Sequence, residues 1–399
     1  MRSYRSCWFL FISLLFWGLL PGFVQAQTCE GNCQDGYGVM HFPSGNRYEG
    51  YWQGGQKTEG STFFANGDRY EGHYLANRRH GAGTYFYQSG NRFEGQWADG
   101  RKVSGTFLYV NGLRYEGAFQ ENRRHGQGRM VLPDGQVLEG RWAEGAFLGD
   151  GPAEIQGTTY AVVVGIADYR DTGPGNGDLR FADQDAEAFA AFLRSPQGGD
   201  IPPGQISLLT NQAATAAAIA AALNRQFRRA HPRDRVVFFF SGHGYPGGFV
   251  PYDADAHTLL SHQQLRTAFQ ASQALDKLCI ADACHAGSIR YGGGNAPEPQ
   301  NVLGQEDLEI AVFMSSRAEE LSLELPELAH GLFAYFLLAG LRGEADQAGN
   351  RDGHITLEEM FRYTRGHVVD YADKHAQGHS QHPIMFGQFS RQQVVVRLR

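Results

Sequence analysis

Two short segments hold residues that can do nucleophilic chemistry. Cys284 stands in "IADACHAGS", and His243 stands 41 residues upstream in "SGHGY". A free thiol ionises at about 8.5, so near neutrality it is mostly protonated and weakly nucleophilic. An imidazole within hydrogen-bond reach can take that proton and release the thiolate. Each residue follows an apolar run, "VVFFF" or "LCIA", and such a run reads as a strand buried on both faces. If the two strands are neighbours in a parallel sheet, they lie about 4.8 Å apart. Their end residues then converge on one edge, where such sheets bind ligands. The spacing leaves room for the helical crossover that a parallel pair requires. The turns also offer backbone N–H groups to a developing oxyanion, those of Gly244 and Cys284 being nearest. From the residues alone, a catalytic pair and a pair of core side chains are equally open readings. His285 is closer in sequence, but strand alternation turns it to the other side. His330 opens an apolar helix and reads as packing or capping.

The elements that must position this pair alternate in type from Thr158 onward. "TYAVVVGIADY" is a buried strand and "DLRFADQDAEAFAAFLR" has helical spacing. "ISLLTN" is a short strand, "TAAAIAAALNRQFRRA" an alanine-rich helix, and "DRVVFFFSGHG" and "DKLCIADACHAG" two further strands. "IAVFMSS" and "HGLFAYFLLAGLRG" add a strand and a helix. Strands alternating with helices predict an α/β domain, a mostly parallel sheet flanked by helices, over residues 158–399.

The motifs "FFFSGHG" and "ADACHAGS" resemble the two active-site motifs of the caspase fold, and especially those of metacaspases and their bacterial relatives. The resemblance runs on through "VGIADY", "LRFADQDAEAF", "VPYDAD", "HGLFAYFLLAGLRG" and "RDGHITLEEMFRY", from about Thr158 to Phe386. It implies a cysteine endopeptidase with Cys284 as nucleophile and His243 as general base and then acid. In metacaspases acids line the pocket for the residue before the cut, and by position Asp185 and Asp282 match them. Two carboxylates in a closed pocket pair with a guanidinium and reject acidic side chains, so the implied substrates are proteins or peptides cut after Arg or Lys. A helix-terminal role for Asp185 and a turn role for Asp282 are the plain alternatives. The segment after "PYDAD" is "AHTLLSHQQL" and has no carboxylate, so calcium activation is not expected. "AGNRDGHITLEE" looks like a calcium-binding loop, but Ala348 stands where the first acidic ligand belongs; it reads as a turn before a helix, and no metal or cofactor is assigned. The loop "IRYGGGNAPEPQN" is rich in glycine and proline, and Arg290 in it is a candidate self-cleavage point.

The first half is built differently. "YEGYW" at Tyr48, "YEGHY" at Tyr70, "FEGQW" at Phe93, "YEGAF" at Tyr115 and "LEGRW" at Leu138 recur in steps of 22 and 23 residues. A glycine-bearing turn precedes each: Ser44-Gly45, Asn66-Gly67, Ser89-Gly90, Asn111-Gly112 and Asp134-Gly135. In "NRFEGQW", alternation puts Phe93, Gly95 and Trp97 on one face, with Arg92, Glu94 and Gln96 on the other. One hairpin cannot bury such a face, whereas five stacked ones can. These five units, over residues 36–149, resemble MORN repeats, which implies an all-β hairpin array used for scaffolding and, in some members, for contact with membrane lipids. The pairs Arg78-Arg79, Arg101-Lys102 and Arg123-Arg124 read as solvated turn residues, with contact to an anionic surface as the alternative. Residues 150–157 form a short join.

The whole chain sets outer bounds. It has 399 residues, 42% hydrophobic and 19% charged, with a net charge of −7. That composition is globular and gives no basic footprint for nucleic acid. Residues 1–26 read as a signal peptide: Arg2 and Arg5, then the apolar Trp8 to Leu20, then Val24-Gln25-Ala26 as a cleavage site, with an uncleaved membrane anchor as the alternative. The expected location is therefore periplasmic or extracellular. Cys29 and Cys33, in residues 27–35, are candidates for a local disulfide in an oxidising compartment. Two readings of the whole follow. One is an exported endopeptidase attached through its repeats to a partner or surface; the other is a scaffold whose repeats do the work beside a latent α/β domain.

Overall fold

A computed structural model describes residues 27–149, 157–170, 178–245, 247–254, 258–283, 309–317, 320–376 and 378–398. The signal-peptide reading falls on residues 1–26, outside them, as do most of the join and the calls on Cys284, His285 and Arg290. Among the described residues, no helix is long and apolar enough to cross a membrane.

The first half is one antiparallel sheet of twelve strands, β1 (Thr28–Gly31) to β12 (Ala146–Gly149), each paired with the next in the chain. Residues 27–35, set apart in the sequence, supply β1, which pairs with β2 (Gly36–His41). A disulfide joins Cys29 to Cys33 with S–S 2.04 Å. Gly45, Gly67, Gly90, Gly112 and Gly135 all turn with φ between 82° and 91°, a region that L side chains avoid. The strands alternate as their sequence indicates, with Phe93 and Trp97 buried and Arg92 and Glu94 exposed.

Close approach explains the glycine of each unit. Gly50 faces Gly60, Gly72 faces Gly83, Gly95 faces Gly105 and Gly117 faces Gly128 across the strand pairs. The fully buried rings of Tyr48, Tyr70, Phe93 and Tyr115 lie directly over these glycine pairs. Neighbouring units interlock edge to face, Tyr70 on Trp97 at 5.4 Å and Tyr115 on Trp142 at 5.1 Å between centroids.

The basic pairs divide between two environments, which corrects their reading as solvated turns. Arg78, Arg101 and Arg123 point outward to Asp99, Glu121 and Glu144. Their neighbours turn inward by strand alternation. Arg79 lies over Tyr85 and Trp97, Lys102 among Tyr87, Phe93, Phe107 and Phe119, and Arg124 over Trp142. Lys57 holds the same place one unit earlier, over Phe42 and Tyr48. Ring faces are the counter-charge there, so these cations belong to the array's interior.

The second half is an α/β domain. Its strands are β13 (Thr159–Gly165), β14 (Ile206–Thr210), β15 (Arg235–Ser241), the short β16 to β18 (Gly244–Tyr245, Gly248–Phe249, Leu260–Ser261), β19 (Asp276–Asp282) and β20 (Ala311–Met314). The short β21 and β22 (Glu324–Leu325, His330–Gly331), β23 (His354–Thr356), β24 (Ile384–Gly387) and β25 (Val394–Arg397) follow. Its helices are α1 (Ala182–Arg194), α2 (Ala216–Phe227), α3 (His262–Ala271), α4 (Leu332–Ala339), α5 (Ala345–Ala348) and α6 (Leu357–His375). The main sheet has the order β14-β13-β15-β19-β20-β24, parallel except for β24. Alternation within β15 explains its unbroken apolar run: Val237 and Phe239 enter the core under α1, α4 and α6, while Phe238 and Phe240 enter the core under α2 and α3. Phe239 stacks on Phe189 of α1 at 4.4 Å. The loop "AGNRDGHITLEE" closes on itself: both Glu359 oxygens accept from the chain, one from Asn350 N–H and the other in a capping box with Thr356.

The glycine columns yield a stability test. A Cβ on Gly128 would sit 2.2 Å from the Tyr115 hydroxyl oxygen, and a fully buried ring cannot retreat. Gly128→Ala should destabilise the array by about 1–3 kcal/mol through overpacking, read as a lower denaturation midpoint; an unchanged midpoint would mean the ring does not lie there.

Candidate active site

The site is built where β15 and β19 end side by side. They pair in parallel with Phe240 opposite Ala281 and Ser241 opposite Asp282, and Gly242 N–H donates to the Asp282 carbonyl at 3.0 Å. The neighbourhood that the sequence analysis made conditional is thus the observed one. His243 leaves the end of β15 and is half-buried. Its backbone N–H donates to the Tyr169 hydroxyl at 2.7 Å, and its ring lies against the Tyr169 ring at 4.8 Å. Gly242 permits that contact, because its φ is 156° and a Cβ there would meet the Tyr169 hydroxyl oxygen at 2.7 Å. Tyr169, at the end of "VGIADY", therefore orients the histidine, a role nothing in its own segment signals. Gly244 opens β16 and pairs with Phe249. Cys284, two positions beyond Asp282, lies outside the described residues, so the thiol and its backbone N–H have no geometry to report.

The two acids meet at one point of the backbone. Asp185 in the first turn of α1 and Asp282 at the end of β19 are almost fully buried, 1% and 5% exposed. Each turns an oxygen toward Gly331, the residue that caps α4: a Cβ there would lie 2.7 Å from Asp282 Oδ2 and 2.9 Å from Asp185 Oδ2. The helix terminus supplies donors. Gly331 N–H donates to Asp185 at 3.2 Å, and Ala334 N–H donates to Asp282 at 3.2 Å. Free N–H groups at a helix start suit anions. Ser241 adds a hydroxyl to Asp185 at 3.3 Å, and Ser322 donates to Asp282.

His330 belongs to this cluster. Its Nδ1 stands 2.6 Å from Asp185 Oδ1, and about a quarter of its side chain is exposed. The sequence reading of packing or capping missed this, since the helix that follows is uniformly apolar. A histidine directly before a glycine-capped helix was the available signal. Ser241, Ser315 and Ser322 were missed as well, because a serine near a strand end has no pattern of its own. Burial raises the Asp185 carboxyl above its usual range, opposed by His330, Gly331 N–H and Ser241. Burial, reinforced by the charge of Asp185, pushes Asp282 up to about 7, against the pull of Ser322, Ser315 and the Ala334 N–H. Two like charges this deep cannot both ionise freely. The described free thiol, Cys279, is inside the sheet with its ionisation raised by burial, as suits an inert core residue. Among the described residues no three His, Cys, Asp or Glu side chains converge as a metal site.

Residues 158–394 match the family model of the caspase domain. The chain belongs to the caspase-domain family. That family is one of cysteine peptidases, and its match spans the α/β domain and the strand edge just described. Residues 34–47, 70–92, 93–114 and 115–137 match the MORN repeat, four segments where the sequence reading counts five units. No curated protein matches the chain. Among solved structures, a protein from Geobacter sulfurreducens, GSU0716, is similar at 17% identity and a TM-score of 0.42, covering 61% of this chain and all of that one.

The acid pair predicts a pH dependence of stability. Between the unfolded carboxyl value of about 4 and the folded value of about 7, the native state binds more protons at Asp282 than the unfolded state. Stability must then fall as pH rises through that window. Asp282→Asn should flatten the fall, measured as denaturation midpoints from pH 4 to 8; an equally steep fall in the variant would place the titrating group elsewhere.

Proposed function

We propose that the α/β domain is a cysteine endopeptidase that cuts after Arg or Lys. The observation that carries this reading is the register of β15 on β19. It aligns Ser241 with Asp282, and His243 and Cys284 each follow two residues later in the sequence. The two strands end together at one edge of the sheet. In the proposed reaction His243 takes the Cys284 proton and the thiolate sulfur attacks the substrate carbonyl carbon. The backbone N–H groups of Gly244 and Cys284 hold the resulting oxyanion. The C–N bond then breaks, and His243 returns the proton to the leaving amine. Water, deprotonated by the same imidazole, hydrolyses the thioester and restores the thiol.

The acid cluster supports the choice of a cationic residue before the cut. Asp185 and Asp282 stand beside the strand edge, inside the fold, with little water to screen them. A guanidinium or ammonium brought there lowers the Asp282 carboxyl back into its charged state and draws Asp185 from His330. Arg290 is the proposed self-cleavage point. The reaction needs no metal in this reading, and calcium is not proposed as an activator. The exported location and the attachment of the protein through its repeats remain parts of the same proposal.

The test is hydrolysis of fluorogenic peptides ending in Arg, Lys or Asp, under reducing conditions. Wild type should cut the first two only, and Cys284→Ala and His243→Ala should cut none. Asp185→Asn with Asp282→Asn should lower kcat/KM for Arg peptides by roughly tenfold to a hundredfold, the size of one or two charge-assisted hydrogen bonds. Equal cutting by Cys284→Ala overturns the nucleophile, and an unchanged preference in the double variant overturns the pocket. Because Asp282 ionises at about 7, kcat/KM for Arg over uncharged peptides should rise as pH passes upward through that value.

A further inference from the structure

We infer that Arg124, in the repeat array, is a positioning residue of the peptidase, acting through Glu309. The inference rests on the peptidase reading of the strand edge.

The array contains its own control. Arg79 and Arg124 occupy the same place in successive copies of the loop "NRRHG". Each lies over a tryptophan, Trp97 or Trp142, and donates to a turn carbonyl, that of Gly100 or Gly145. Arg79 is half-buried and, among the described residues, meets no carboxylate. Arg124 is fully buried and reaches further, to the carboxylate of Glu309 in the other domain. Its guanidinium also donates to the Tyr109 hydroxyl at 3.2 Å. The domains touch at further points: Arg123 donates to the Phe389 carbonyl at 2.9 Å, Asn111 to the Ser272 carbonyl at 2.7 Å, and Leu275 packs on the aromatic core of the array. Those bonds fasten surfaces. The Arg124–Glu309 pair places a charge, and a buried charge without its partner is costly.

Glu309 stands two residues before β20. It is held at φ 49°, a conformation that a glutamate keeps only when its surroundings impose it. From it β20 runs beside β19, Leu278 opposite Ala311 to Ala281 opposite Met314. The next residue, Ser315, donates its N–H to the Ala281 carbonyl at 2.9 Å and accepts at its hydroxyl from Ala283 N–H at 3.2 Å. Ser315 also helps to hold the Asp282 carboxylate. One short strand therefore has the array's arginine at its near end and, at its far end, the backbone immediately before Cys284 and the acid of the pocket. A strand freed at Glu309 lets that backbone move, and misplacement of about 1 Å at a reacting centre costs up to about a hundredfold in rate.

The experiment uses the full chain with Arg124→Met, Glu309→Gln, their combination, Arg124→Lys and, as the equivalent residue within the array, Arg79→Met. Rates on an Arg-ended peptide are read with hydrogen exchange of the β20 amides, residues 311–314. Arg124→Met and Glu309→Gln should each lower kcat by about tenfold with little change in KM, the mark of lost positioning rather than lost substrate binding. The combination should be no worse than either alone, and Arg124→Lys should recover part of the loss. Exchange at 311–314 should quicken in the first two variants and stay at the wild-type rate in Arg79→Met. If Arg79→Met lowers kcat as much, the effect is one of array stability and the inference fails. It fails as well if Glu309→Gln, which keeps shape and loses only charge, leaves both readouts unchanged. Should the wild type cut no peptide, the peptidase reading falls, and exchange alone decides whether Arg124 holds the strand.

Discussion

Two carboxylates buried on either side of one glycine are the constraint around which the α/β domain is arranged. Asp185 comes from the first turn of α1 and Asp282 from the end of β19, and both depend on donors from another element. The N-terminus of α4 takes that role with the N–H groups of Gly331 and Ala334, joined by serine hydroxyls and His330. Because the donors come from a third element, α1, β19 and α4 must all be in place before either charge is tolerable. Residue 331 must be glycine for the same reason, since both oxygens occupy the space of a side chain. A cluster so held lies buried beside the strand edge where β15 and β19 end together.

The repeat array solves a similar problem with different groups. Its cations are inside, yet it has few carboxylates there; the faces of aromatic rings and turn carbonyls hold them instead. Glycine pairs let the rings approach the backbone, and the rings in turn cover the cations. At Arg124 the pattern opens to the second domain, where Glu309 completes the set. An array fastened in this way is joined to the α/β domain at a charged, buried point, not merely tethered to it.

Much of this organisation was legible from residue order. The period of 22 and 23 residues, the turn glycines and the alternation in "NRFEGQW" marked a hairpin array, because strands and turns are local. The apolar runs before His243 and Cys284 marked two buried strands for the same reason. The helix α3 was less visible, because polar residues cover much of it, whereas α6 was read as the helix after the "AGNRDGHITLEE" turn. The inward half of each basic pair was misread, since charge normally signals solvent and only the stacked rings of the next unit supply a counter-charge.

By itself the sequence named the candidate residues for chemistry and determined which segments become strands, since both readings depend on side-chain type and short-range spacing. It also placed Asp185 and Asp282 as a pair, through resemblance. The tertiary structure alone decided that β15 and β19 are neighbours in register, that Tyr169 faces His243, that His330 reaches Asp185 and that Arg124 reaches Glu309. Each of these contacts joins residues that no local rule relates, some more than a hundred positions apart. They exist because burying both faces of the sheet leaves few places where those side chains can go.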